Sequence, residues 1–122
     1  MKGNYYKNMK AKTSKVIHIL GVCGAGTVTS TMLAMRVEEV LEEEGIRSVI
    51  DEIRPTQVHS TLETAKVDMI ITTSPIPDVE KITVPVINGH SLLSGFGEAE
   101  TIEEIRRTAL KIVEEYEAKR AK

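Results

Sequence analysis

The residues with the most chemistry in them lie in one stretch, VIHILGVCGAGTVTSTM, residues 16–32, which holds the only cysteine of the chain, Cys23. Cys23 stands where an apolar run ends and a cluster of glycines and hydroxyls begins. Gly24, Ala25 and Gly26 allow a tight turn in which successive backbone N–H groups point inward. A helix that starts within a few residues aims its positive end at the same spot. Thr27, Thr29, Ser30 and Thr31 add hydroxyls, and Val28 completes the loop. Together, residues 24–30 make a cradle for a phosphoryl group. The same positive field favours thiolate over thiol at Cys23. A thiolate facing a bound phosphoryl group is set for in-line attack and a phosphocysteine intermediate. The competing reading is a small buried cysteine, common in cores. The position of Cys23 at the end of the run, rather than inside it, argues for the nucleophile.

Several phosphate motifs do not fit. No Gly-Lys-Ser/Thr follows, so the loop is not a Walker A site. The third glycine of a dinucleotide fingerprint is replaced by Thr29. A cysteine phosphatase loop of the form C-x5-R needs an arginine where Thr29 stands, and Arg36 lies well inside the helix. Hydrolysis would also need a general acid at the leaving group, and no neighbouring Asp or Glu suits. A loop of this kind suits relay of a phosphoryl group better than its hydrolysis.

The elements that must position this loop can be read from periodicity. Val16 to Val22 is nearly continuous apolar sequence, the mark of a strand buried on both faces of a parallel sheet. From about Ser30 to Glu44, Leu33, Val37, Val40 and Leu41 recur on one helical face. Glu38, Glu39, Glu42, Glu43 and Glu44 form the solvated face, and Gly45 stops the helix. Ser48 to Ile53 is a more polar strand, as at a sheet edge. Pro55 ends it, and Thr56 is placed to cap a short helix with Val58, Leu62 and Ala65 on one face. Val67 to Thr72 is a third strand and Val84 to Ile87 a fourth, with Pro85 pointing to an edge. Residues 88–100 read as a glycine-rich loop. A capping box, Thr101 and Glu104, opens a last helix whose stripe is Ile102, Ile105, Ala109, Ile112, Val113 and Tyr116. Strands alternating with helices imply an α/β fold. The expected form is a three-layer α/β/α sandwich, Rossmann-like, around a four-stranded parallel sheet of order 2-1-3-4. In such sheets ligands bind at the carboxyl ends of the strands, the edge that carries Cys23 and, after strand 4, His90.

Composition sets the wider bounds. At 122 residues, 41% hydrophobic and 28% charged, the chain has the size and balance of one globular domain. Residues 1–14 read as a basic, disordered tail, 15–118 as the domain, and 119–122 as a frayed end. Residues 1–15 hold five lysines and no acid, leaving 11 basic against 18 acidic residues in the remainder. No pattern of interleaved aromatic and basic residues supports nucleic-acid binding. No apolar run could span a bilayer and no signal-peptide pattern is present, so a cytoplasmic protein without membrane insertion is expected. One cysteine excludes an internal disulfide and a cysteine-based zinc site. The three histidines lack metal-ligand spacing, so neither a metal nor a cofactor is expected. His18 reads as a strand-packing residue and His59 as a surface residue. His90 is a candidate for reaching the phosphate.

Beyond these readings, the strand followed by CGAGTVTS resembles the IIB components of the bacterial phosphoenolpyruvate-dependent sugar phosphotransferase system. The branch it resembles most is the galactitol type, with ascorbate-type relatives nearby. Two further markers follow in order, Thr72-Thr73 after strand 3 and PVINGHSLLSGFG after strand 4. The resemblance covers about residues 15–117. The galactitol type usually has Pro-Phe where this chain has Ser91 and Leu92. The resemblance implies that Cys23 accepts a phosphoryl group from a phosphohistidine on a IIA protein. It implies that Gly24, Ala25, Gly26, Thr27, Val28, Thr29 and Ser30 bind that group, with His90, Ser94 and Gly95 flanking the site. The acceptor would be a sugar or sugar alcohol, galactitol being the best match, held by a membrane IIC protein on which the chain docks. The alternative is a non-catalytic phosphate-sensing or regulatory domain of the same fold.

Overall fold

The computed structural model describes residues 15–24 and 27–120, with the side chains of residues 27–31 and 93 outside the described set. The basic residues 1–14, loop residues Ala25 and Gly26, and the last two residues also lie outside it.

Strand β1 (Val16–Val22) is followed by helix α1 (Thr27–Glu43) and strand β2 (Arg47–Ile53). A 3-10 turn (Pro55–Gln57) leads into α2 (Val58–Thr64), and then comes β3 (Met69–Thr72). A second 3-10 turn (Val79–Lys81) precedes β4 (Val86–Asn88), α3 (His90–Ser94) and α4 (Glu98–Arg120). The strands form one sheet in the expected order β2-β1-β3-β4, parallel at each pairing. β1 alternates cleanly between two cores. Ile17 and Ile19 point to the layer of α1, α3 and α4, packing with Leu33, Val37, Val40, Leu41, Met69, Ile71, Ile105 and Ala109. Leu20 and Val22 point the other way, to Val58 of α2, Val67, Ile70 and Ile76. A strand with both faces dry needs apolar residues at every position, which is why its sequence does not alternate.

Several element boundaries differ from expectation. α1 starts at Thr27 rather than Ser30. The segment Thr-Val-Thr-Ser has poor intrinsic helix propensity, and the packed Leu33–Val37–Leu41 face carries the helix back through it. The glycine-rich loop 88–100 contains α3. Asn88 Oδ1 accepts the His90 N–H at 2.9 Å, which starts the helix, and Gly95, at φ +86°, ends it. α4 begins at Glu98, so Thr101 and Glu104 do not cap it. Thr101 Oγ1 is instead bonded to Ser91 Oγ at 2.5 Å. The early start has a tertiary cause: Arg36 of α1 grips Glu98 through Nε and Nη2, each at 3.3 Å. The acidic first turn, Glu98 and Glu100, also suits the positive helix end. α4 runs on to Arg120.

Thr56 lies inside the 3-10 turn and does not cap α2. The Arg54 N–H is bonded instead by Gln57 Oε1 at 2.9 Å. β3 starts at Met69; Asp68, just before it, donates its N–H to the His18 carbonyl and accepts the His18 N–H on its carboxylate, each at 2.8 Å. Pro85 stands just before β4, where its missing N–H costs no ladder bond and its carbonyl accepts from Ile70 N–H at 2.8 Å. Glu44 does not belong to a solvated face. It is 8% exposed, and Arg106 of α4 brings Nε to 2.9 Å from Glu44 Oε2. The Nε–H is not aimed along that line, so this pair is held by charge more than by a directed hydrogen bond. Arg106 also reaches Glu103 at 3.0 Å and Glu43 at 3.5 Å. The remaining expected glutamates of α1, Glu38, Glu39, Glu42 and Glu43, are exposed.

Among the described glycines the least room for a side chain is at Gly89, between β4 and α3. A Cβ there would sit 2.6 Å from Ile71 Cγ2 and 3.1 Å from Leu33 Cδ1. Gly89→Ala is expected to cost about 1–3 kcal/mol by overpacking, read as a lower urea midpoint with an unchanged slope. Arg106→Ala leaves the Glu44 carboxylate in its buried position without its cation. It should destabilise the protein by about 1–3 kcal/mol, and adding Glu44→Gln should return part of that loss in the same urea titration.

Candidate functional site

The register of the ladders brings four residues to one level at the carboxyl edge. Val22 pairs with Ile53 on one side and Thr72 on the other, and Thr72 pairs with Asn88. The residues just beyond, Cys23, Arg54, Thr73 and Gly89, therefore share the rim of the sheet. Cys23 follows the last residue of β1 directly. Its N–H donates to the Ile53 carbonyl at 3.2 Å, which extends the ladder by one residue. Cys23 is 5% exposed, so both the buried and the rim-placed readings of it hold at once. Three residues separate it from the start of α1, whose first N–H groups have no intrahelical acceptor and open toward the rim.

The neighbouring strand supplies the other wall. Thr73 N–H donates to the Val22 carbonyl at 2.9 Å, and Thr73 Oγ1 approaches the same oxygen at 3.5 Å. Ser74 is pinned by Thr72: Thr72 Oγ1 donates to the Ser74 carbonyl at 2.6 Å and accepts the Ser74 N–H at 3.1 Å. So held, Ser74 Oγ accepts the Gly24 N–H at 3.0 Å. A Cβ on Gly24 would come within 3.2 Å of that hydroxyl, so a larger residue would crowd this contact. Ser74 thus sets the first turn of the loop after Cys23. Sequence reading used Thr72-Thr73 only as a family marker and missed this contact. The signal was present as three consecutive hydroxyl residues, Thr72 to Ser74, after an apolar strand. Arg54 was also missed. It is remote from Cys23 in sequence, and the β1–β2 ladder places its backbone beside Cys23 with its side chain exposed.

The other expected site residues divide. Gly24 stands on the rim. Thr27, Val28, Thr29 and Ser30 are backbone of the first turn of α1, and Ala25 and Gly26 lie outside the described residues. His90 is exposed and opens α3 beyond β4, two strands from β1, or about 10 Å across the ladder at the usual strand spacing. Ser94 and Gly95 close α3: Ser94 Oγ accepts the Phe96 N–H at 3.3 Å, and Gly95 N–H donates to the Ser91 carbonyl at 2.8 Å. These contacts belong to the α3–α4 turn. His18 is a strand-packing residue, as expected. Its Nδ1 donates to the Lys66 carbonyl at 2.8 Å and its Nε2 meets Asp51 Oδ2 at 2.6 Å. His59 is partly exposed on α2 and donates from Nε2 to the Pro77 carbonyl at 2.6 Å. Neither makes a hydrogen bond to Cys23, Gly24 or Ser74 among the described contacts. Among the described residues no helix is long and apolar enough to cross a membrane.

Comparison with known proteins bears on this rim. Residues 18–104 match the family model for the lactose/cellobiose-specific IIB subunit of the phosphotransferase system, a span that includes Cys23, Ser74 and α3. A curated relative in Escherichia coli (strain K12), named provisionally as the phosphotransferase enzyme IIB component SgcB, is 31% identical over 80 residues. That alignment takes in 66% of this chain and 83% of the relative. A parallel α/β domain with this rim, matched over most of its length, belongs to the IIB family of the phosphotransferase system, and the chain is a phosphoryl-transfer subunit of a sugar phosphotransferase system.

Proposed function

We propose that Cys23 is the residue that carries the phosphoryl group. The observation behind this reading is its place: it is the first residue past a central, doubly buried strand, between the Ser74-held turn and the start of α1. The thiolate sulfur attacks phosphorus as the bond from phosphorus to a histidine nitrogen of a IIA protein breaks, and the imidazole leaves with the electron pair. In the second step a sugar hydroxyl oxygen attacks the same phosphorus, the sulfur leaves as thiolate, and the hydroxyl proton is released. The sugar or sugar alcohol is held by a membrane IIC protein, on whose cytoplasmic side this chain docks.

Residues 24–30 bind the phosphoryl group in this reading. The backbone N–H groups at the start of α1 face the developing charge, where fixed dipoles stabilise it without reorganising. No step needs a general acid, since relay ends with a thiolate. The lactose/cellobiose match and the galactitol-type markers speak for different sugars of one chemistry; galactitol is our specific candidate on the sequence motifs. His90, Ser94 and Gly95 flank the docking side of the rim.

Incubation with phosphoenolpyruvate, the general phosphotransfer proteins and a cognate IIA should place one phosphoryl group on the chain, located to Cys23 by mass spectrometry. Cys23→Ser should abolish it. Equal labelling of Cys23→Ser would move the phosphoryl group to another residue and overturn the role of Cys23, whereas a Cys23→Ala variant that binds phosphate and sustains function in cells would favour the phosphate-sensing alternative. Ser74→Ala removes the acceptor of the Gly24 N–H. We expect about a tenfold slower phosphoryl acceptance, equivalent to roughly 1.4 kcal/mol of transition-state stabilisation, with the melting temperature nearly unchanged. An unchanged rate would remove Ser74 from the loop's positioning.

A further inference from the structure

Among the described residues the outer side of β2 is an edge of seven residues, and its sequence is complementary to itself. Cys23 N–H reaches the Ile53 carbonyl, so the backbone polar groups of Ile53 face β1. In a parallel ladder these groups alternate, so those of Arg47, Val49 and Asp51 also face β1, and those of Ser48, Ile50 and Glu52 point outward. Exposed backbone groups of this kind template pairing with another strand. Natural edges are blunted by brevity, proline, bulges or charged side chains; β2 carries only charge, in the exposed Arg47, Asp51 and Glu52. The side chain of Val49 is half exposed at its centre.

We infer that β2 is the dimer interface of this protein, pairing antiparallel with β2 of a second copy about a two-fold axis at Val49. Only outward-facing residues can exchange hydrogen bonds across such an edge. Two registers near the centre satisfy this. Centred on Ile50, the pairing sets Val49 against Asp51 of the second copy, Ser48 against Glu52 and Arg47 against Ile53, with no charge matched. Centred on Val49, it joins Ser48 to Ile50, stacks Val49 on its own copy and places Arg47 directly opposite Asp51 of the second copy, twice by symmetry; Asp51 keeps Oδ2 on His18 Nε2 of its own chain and offers its other carboxylate oxygen. These Arg–Asp positions are non-hydrogen-bonded pairs, whose side chains lie closest. Charge therefore selects the second register, and the occupant of this edge is a second copy of the chain. The joined sheet has eight parallel-built strands with one antiparallel junction. Its two carboxyl rims face opposite ways, so both Cys23 sites stay accessible to partner proteins. This inference does not rest on the role of Cys23.

Sedimentation equilibrium on the full chain should show a concentration-dependent dimer. Val49→Cys in a Cys23→Ser background should close a symmetric intermolecular disulfide under mild oxidation, because the paired Cα atoms would be about 4.5 Å apart. Glu52→Cys in the same background, opposite Ile46 in this register, should not. Arg47→Asp should weaken association about tenfold or more by setting two acids opposite each other, and Arg47→Lys should keep it. Circular dichroism should be unchanged in both, since residue 47 is exposed. A chain that stays monomeric up to its solubility limit would overturn the inference. So would a dimer indifferent to Arg47→Asp, or one crosslinked through residue 52 rather than 49.

Discussion

The parallel pairing of β1 with a strand on each side is the constraint on which the rest of the structure depends. Parallel neighbours all end at one edge of the sheet, and each must be reached by a crossover that returns the chain to the other edge. β1 lies between β2 and β3, so Val22, Ile53 and Thr72 end level with one another. The residue after each is delivered to the same rim whatever its sequence. Cys23, Arg54 and Thr73 are neighbours for this reason, although 19 to 50 positions separate them in the chain.

The rim is then shaped by close approach. The Ser74 bond to the Gly24 N–H is favoured by the lack of a Cβ on Gly24, which would crowd the hydroxyl, and by Thr72, which holds Ser74 at both its N–H and its carbonyl. Gly89 does the corresponding work on the far side, letting Leu33 of α1 and Ile71 of β3 close over the start of α3. The helical layer is positioned by charge as well as by packing. Arg36 ties α1 to the first residue of α4, and the carboxylates of Glu98 and then Glu39 hold its guanidinium above the usual arginine pKa. At the other end of α1, Arg106 brings the buried Glu44 against α4. These two arginines tie α1 to α4 at two points, over the apolar contacts of Val37, Leu41, Ile105 and Ala109.

The fold was legible in the sequence to the level of strand order, because a doubly buried central strand, a polar edge strand and amphipathic helices each carry a distinct period. The boundaries that were misread share a cause. Thr27 to Thr29 look like loop residues by propensity and are helical because Leu33 and Val37 bury the face that follows. Thr101 and Glu104 have the spacing of a cap and sit inside a helix that a distant arginine extends to Glu98. Glu44 looks like one more solvated acid and is buried by a residue 62 positions later. In each case a contact remote in sequence outweighed a local preference worth a few tenths to about one kcal/mol.

What the sequence determined by itself was the set of residue types behind the proposed chemistry: one cysteine at the end of an apolar strand, glycines and hydroxyls after it, and no arginine where a hydrolytic loop needs one. These are properties of residue type and short spacing, and they need no tertiary information. The tertiary structure alone decided which groups surround that cysteine. Ser74 reaches the loop and Arg54 reaches the rim because the parallel register aligns three strand ends. His90 stands two strands away because β3 lies between its strand and β1. Register is set by the side chains of whole strands packed in two cores, so no short stretch of sequence can contain it.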